Sequence, residues 1–166
     1  MKTALIVIDV QKYFVNEKTT DKNLRKLPGR ISDYIENNDF DFIIFTVHVN
    51  KKNSNHFKIL GWKECTGKPD AELHDSLKKF AKKGNLFEKS TYSAFKSKRL
   101  LDFLKRNNIS KVFLCGVDTD ACLLASAYDA FDLGFDIAVL KELCASHTGN
   151  NMHECAKRIM EKNLEK

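Results

Sequence analysis

A chain of 166 residues, 43% of them apolar, can enclose one sizeable core but not two ordinary ones, so a single domain over residues 1–166 is expected. Its formal charge of +6, from 28 basic against 22 acidic residues, is spread in short lysine groups at 51, 78 and 82, a pattern that predicts a solvated surface and no nucleic-acid partner. The cysteines Cys65, Cys115, Cys122, Cys144 and Cys155 form no C-x-x-C pair and are odd in number, which argues against both a disulfide framework and a zinc knuckle and leaves the thiols reduced.

The chain opens with "MKT" and runs straight into "ALIVIDV" (4–10), which stops at Asp9 without the small-residue cleavage site of a secretory leader. No apolar run approaches the roughly 20 residues of a membrane span, so a cytoplasmic, membrane-free protein is expected. "PGRISDYIENN" follows, read as a helix opened by its proline. "FIIFTVHV" (42–49) is again almost continuously apolar and reads as a strand buried on both faces. Residues 50–85 break the rhythm: polar, carrying Gly61, Trp62, Gly67 and Pro69, and too long for an ordinary connection, they read as a lid or the wall of a pocket. "NLFEKS" (85–90) is a short strand, "SKRLLDFLKRNN" a helix, "KVFLCGV" (111–117) a strand, "DACLLASAYDAFDLG" a helix closed by Gly134, and "DIAVL" (136–140) a strand. The final segment spaces Met152, Cys155, Ala156, Ile159 and Met160 as the apolar stripe of an amphipathic helix. Alternation of strand and helix predicts a three-layer α/β/α sandwich around a mostly parallel, Rossmann-like sheet, with ligands bound beyond the carboxyl ends of the strands.

Three reactive side chains fall at that edge. Asp9 closes the first strand, Lys89 closes the short one, and Cys122 stands in the first helical turn after the strand ending at Val117. Taken singly, each has an ordinary role as helix cap, surface lysine or core thiol. Together they can meet, and a thiol at a helix start beside an ammonium is expected to be lowered in pKa. A neighbouring carboxylate could take its proton, and free amides of the turn "VDTDAC" could hold an oxyanion. Cys115 and Cys155 read as core.

At these residues the chain resembles the isochorismatase-like cysteine hydrolases, whose members include nicotinamidases and N-carbamoylsarcosine amidases. "IVIDVQKYF" is similar to their aspartate motif, "FEKSTYSAF" to their lysine motif, and "CGVDTDACLLASAYDAFDLGFDIAVL" to their nucleophile motif. The resemblance implies a catalytic triad of Asp9, Lys89 and Cys122, a cis peptide between Val117 and Asp118, and an oxyanion hole from the backbone N–H groups of Asp118 and Cys122. It also implies a homodimer or larger assembly. Relatives that hold a metal carry an Asp-x-His pair after the second strand; here those positions are His48 and Asn50. His56 remains and Cys65 stands nearby, so His48, His56 and Cys65 form a conceivable soft-metal set, but the loss of the carboxylate predicts no metal and no cofactor. Nicotinamide is weakened as the substrate for the same reason.

The retained cysteine argues against vinyl-ether hydrolysis and for hydrolysis of a small amide or related C–N bond through a thioester. Phe14, Trp62 and Tyr92 are candidate pocket residues, with Phe95 equally suited to the core, and Ser146, His147 and Thr148 follow the last strand at the same edge. Two other readings stand beside the enzyme: a catalytically idle member that binds a metabolite or protein partner, and a redox-sensing thiol, for which no resolving cysteine is evident. The substrate itself is not encoded in any motif.

Overall fold

The computed structural model describes residues 1–164. Five strands, β1 (Lys2–Ile8), β2 (Phe42–His48), β3 (Leu86–Lys89), β4 (Ile109–Gly116) and β5 (Asp136–Cys144), form one sheet in the order β3-β2-β1-β4-β5. Every neighbouring pair is parallel. β1 sits in the middle because its side chains suit no other place: Ala4, Leu5, Ile6, Val7 and Ile8 are all fully buried, which requires cover on both faces. Burying each such aliphatic side chain contributes about 1.5–3 kcal/mol.

The helices α1 (Lys22–Asn37), α2 (Asn55–Lys58), α3 (Lys98–Arg106), α4 (Leu124–Asp132) and α5 (Asn150–Leu164) connect and cover the strands. α1 begins six residues before the proline that was expected to open it. The Asp21 side chain accepts the Leu24 N–H at 2.9 Å and caps the helix, while Pro28 lies buried inside it. The turns of Leu24, Leu27, Ile31 and Ile35 against the core hold the helix through the hydrogen bond that Pro28 cannot donate. α5 presents Ala156 and Met160 to the core, but Met152, Cys155 and Ile159 are exposed, so their expected place on the apolar stripe is corrected: the buried line of the helix is narrower than the sequence spacing suggested.

Strand order reverses direction between β1 and β4. Both crossovers that leave this point diverge, and a crevice opens above the carboxyl ends. Ile8 is level with Thr46 on one side and Gly116 on the other, so the loops after three strands start from one height. Gly116 is required there: its φ is 118°, and a Cβ would stand 2.2 Å from the Ile8 carbonyl oxygen.

Candidate active site

Asp9 follows β1 directly and takes a left-handed conformation, φ 51°, that turns its carboxylate back over the sheet. Its backbone N–H donates to Thr46 O at 3.1 Å and the Thr46 hydroxyl donates to Oδ1 at 2.8 Å, so β2 fixes the carboxylate from both ends. Lys89, the last residue of β3, reaches over β2: its Nζ lies 2.5 Å from Asp9 Oδ2, donates to Thr91 O at 2.9 Å and donates to Cys122 Sγ at 3.3 Å. The Lys89 ammonium and the Asp9 carboxylate thus form a buried ion pair beside the Cys122 thiol. All three side chains are buried. The structure therefore brings together the three residues that the sequence placed on separate strand ends.

Cys122 sits in a π-helical turn, Thr119–Leu123, that precedes α4. Ser126 pins the turn by donating to Cys122 O at 2.6 Å and accepting the Ala94 N–H at 2.9 Å. The peptide between Val117 and Asp118 is cis, and the Asp118 N–H donates to no group among the described residues. The expectation of a lowered thiol pKa is corrected. Burial raises the Cys122 thiol and the Asp9 charge raises it further, against the opposing pull of Lys89. For Lys89, burial pulls down, but the Asp9 charge and Cys122 more than offset it and the ammonium is held above its usual range. At rest the site is a neutral thiol beside an ion pair.

Above the thiol lies a cavity of about 770 Å³, and Phe14, Trp62 and Tyr92 line it as the sequence suggested. His48 and His56 stand on one wall with ring centroids 4.7 Å apart. Burial, with Lys89 adding to it, lowers His48 to about 4, and burial also lowers His56, so both imidazoles are neutral near pH 7. On the opposite wall His147 is clamped by Asp118: its backbone N–H donates to Oδ1 at 2.9 Å and its ring Nδ1 lies 2.5 Å from Oδ2. That hydrogen bond raises the His147 pKa against the effect of burial. The clamp was not legible in the sequence, where residues 118 and 147 are 29 positions apart. Thr148 lines the cavity with His147, but Ser146 turns away into a separate small cavity of about 150 Å³, and Phe95 is core, packed on Phe135. Thr46, Asp120 and Tyr128 are further site residues that no motif reading singled out.

A model described as "Isochorismatase domain" matches residues 3–165. The chain belongs to the isochorismatase family. An uncharacterized isochorismatase family protein, PncA, of Bacillus subtilis is 29% identical over 164 residues, covering 88% of this chain and 87% of the relative. The crystal structure of nicotinamidase PncA from Bacillus subtilis superposes with a TM-score of 0.80 at 28% identity, covering 97% of this chain and 95% of that one. A pyrazinamidase of Pyrococcus horikoshii, solved in complex with zinc, has a TM-score of 0.77 at 25% identity, covering 98% of this chain and 96% of that one.

The residues of this family member do not fit such a metal. His48 Nε2 and His56 Nδ1 are buried without partners, which offers two nitrogen donors, but no third donor joins them. Asn50 is committed elsewhere: Nδ2 donates to Trp62 O at 2.7 Å and Glu64 O at 3.2 Å, and Oδ1 accepts from the Ser54 hydroxyl at 2.7 Å. Cys65 donates its thiol to His48 O at 3.3 Å, and burial pushes its pKa up to about 12, so it supplies no thiolate. Among the described residues no group of three His, Cys, Asp or Glu side chains is placed to hold an ion.

Proposed function

We propose that this protein hydrolyses a small amide, or a related C–N bond, with Cys122 as nucleophile, Asp9 as proton acceptor and Lys89 as the group that holds the two together. The observation that carries the reading is the single ammonium of Lys89, buried and shared between the Asp9 carboxylate and the Cys122 sulfur. Burial of a lysine costs several kcal/mol unless it is paired, so its place under the cavity calls for a role. Family membership and the nicotinamidase among the similar structures support the amide class.

The reaction follows from the resting charges. Because the thiol is neutral, it must lose its proton as it attacks, and the Asp9 carboxylate in the same buried cluster is the acceptor. Sγ bonds to the carbonyl carbon while Lys89, left with a thiolate and a neutral acid, keeps the assembly electrostatically balanced. The oxyanion is received by the N–H groups of Asp118 and Cys122, the first of which has no competing acceptor. Asp9 returns the proton to the leaving nitrogen, the C–N bond breaks and a thioester remains. Water, giving a proton to Asp9, then attacks the thioester; the carbon–sulfur bond breaks, the acid leaves, and Asp9 passes that proton to the Cys122 sulfur to restore the thiol.

The test is ammonia release over primary amides, ureido acids and nicotinamide, with Cys122→Ala beside the unsubstituted protein. Turnover of at least one amide that disappears in Cys122→Ala is expected. Release that survives the substitution, or no turnover of any amide, overturns the proposal.

A further inference from the structure

We propose that the substrate carries a positive charge on the part of the molecule beyond the scissile carbonyl, as an alkylammonium or a quaternised ring nitrogen. The inference rests on the amide-hydrolase reading and adds to it the class of amide. Although the chain has a formal charge of +6, among the described residues no lysine or arginine lines the main cavity. The charged side chains that do are Asp118 and Asp120, with His147 as the one titratable cation, so two carboxylates against at most one imidazolium leave the lining between −1 and −2. The floor changes nothing, because Asp9 and Lys89 offset each other and the thiol is neutral. An anionic substrate would meet two carboxylates and no fixed cation.

The rest of the lining suits a cation. Phe14, Trp62, Tyr92 and Tyr128 present aromatic surface, and ring faces attract an ammonium whose hydration has been stripped. Asp120 accepts the Thr148 hydroxyl on Oδ2 at 3.0 Å, but its buried Oδ1 has no donor among the described residues. Such an orphan acceptor costs free energy until a donor or cation reaches it. His48 and His56, neutral and each with a buried nitrogen lacking a partner, add hydrogen-bonding capacity without positive charge.

The decisive experiment uses Cys122→Ala, so that binding is read without turnover, and Trp62, the one tryptophan of the chain, as a fluorophore in the cavity wall. Three near-isosteric probes are titrated in the presence of EDTA, which keeps adventitious metal from supplying the charge: nicotinamide, 1-methylnicotinamide and 3-carbamoylbenzoate. The cation is expected to bind at least about tenfold more tightly than the neutral amide, with the carboxylate weakest. Asp120→Asn should shrink the preference, and rising salt should shrink it in the Asp120 protein. The groups facing His147 are Asp118, Asp120, the Phe14 ring and Thr148. Losing the His147 proton removes the one cation among them, and because Asp118 holds that pKa above the ordinary imidazole value, the preference should grow as the pH rises past the ordinary imidazole range. Carboxylate binding as tight as the cation, or a preference unmoved by both salt and Asp120→Asn, overturns the inference. Ammonia release by the unsubstituted protein is scored separately: turnover of neutral or anionic amides with no cation preference sinks this inference alone, whereas cation binding without turnover of any amide sinks the hydrolase reading alone.

Discussion

At the scale of single residues, the informative quantity is the protonation of Cys122. A thiol beside an ammonium at a helix start is the arrangement that ordinarily yields a thiolate, but here burial and Asp9 outweigh Lys89. On the proposed mechanism the thiol is therefore protected at rest and activated only when its proton has somewhere to go. This gives Asp9→Asn two opposite effects. With the negative charge removed and Lys89 retained, iodoacetamide should label Cys122 several-fold faster near neutral pH, while amide hydrolysis falls by about 10²–10⁴. Mass spectrometry of the labelled thiol and an ammonia assay read the two. Equal losses in both would mean that Asp9 only shapes the site. In the unsubstituted protein the exposed Cys155 should label before Cys122.

Among the elements, the segment between β2 and β3 decides what the site can hold. Asn50 stands where metal-holding relatives, on the resemblance noted in the sequence, carry a histidine, and its amide instead ties the start of the segment to Trp62, Glu64 and Ser54. A ligand position has become a bracket for one cavity wall. Trp62 is held from the other side as well, its Nε1 donating to the Tyr13 hydroxyl at 3.0 Å. Replacing Asn50 by Ala leaves two carbonyls and a hydroxyl short of partners, a cost of about 1–3 kcal/mol. The expected outcome is a lower denaturation midpoint together with a KM raised by about an order of magnitude and a kcat nearly unchanged, because the triad lies on other elements. A kcat that falls as far as KM rises would place Asn50 closer to the chemistry than its hydrogen bonds indicate.

Over the whole molecule, the charges that line different hollows differ. The hollow beside α3 is lined by Lys83, Arg99, Lys105 and Arg106 with Asp102, whereas the main cavity is lined by carboxylates, imidazoles and aromatic rings. The sign of the net charge thus says little about the ligand. It also bears on metals: with neutral imidazoles, a protonated Cys65 and the Asp9 carboxylate engaged by Lys89, the wall near His48 cannot balance a divalent ion. Hydrolysis should accordingly survive exhaustive dialysis against a chelator, and elemental analysis of untagged protein should find less than stoichiometric zinc or iron. Stoichiometric metal lost together with activity in His48→Ala would overturn this.

By itself the sequence determined the alternation of strands and helices and the three strand ends that carry Asp9, Lys89 and Cys122. Continuous Val- and Ile-rich runs between helical patterns read as strands, and parallel strands send their carboxyl ends to one edge whatever the details of packing. It also identified the segment after β2 as the place where the pocket is shaped. The start of α1 was not legible, because the Asp21 cap and burial of Leu24 and Leu27 outweigh the local signal of Pro28. Neither was the resting state of Cys122, since a pKa depends on desolvation, and desolvation depends on every element that covers the thiol. The Asp118–His147 clamp and the unpaired Oδ1 of Asp120 came only from the tertiary structure, which joins residues far apart in the chain and decides which buried acceptors find a donor. Local pattern fixes where a side chain sits along an element; only the packed molecule fixes what it faces, and charge and hydrogen bonding are properties of what it faces.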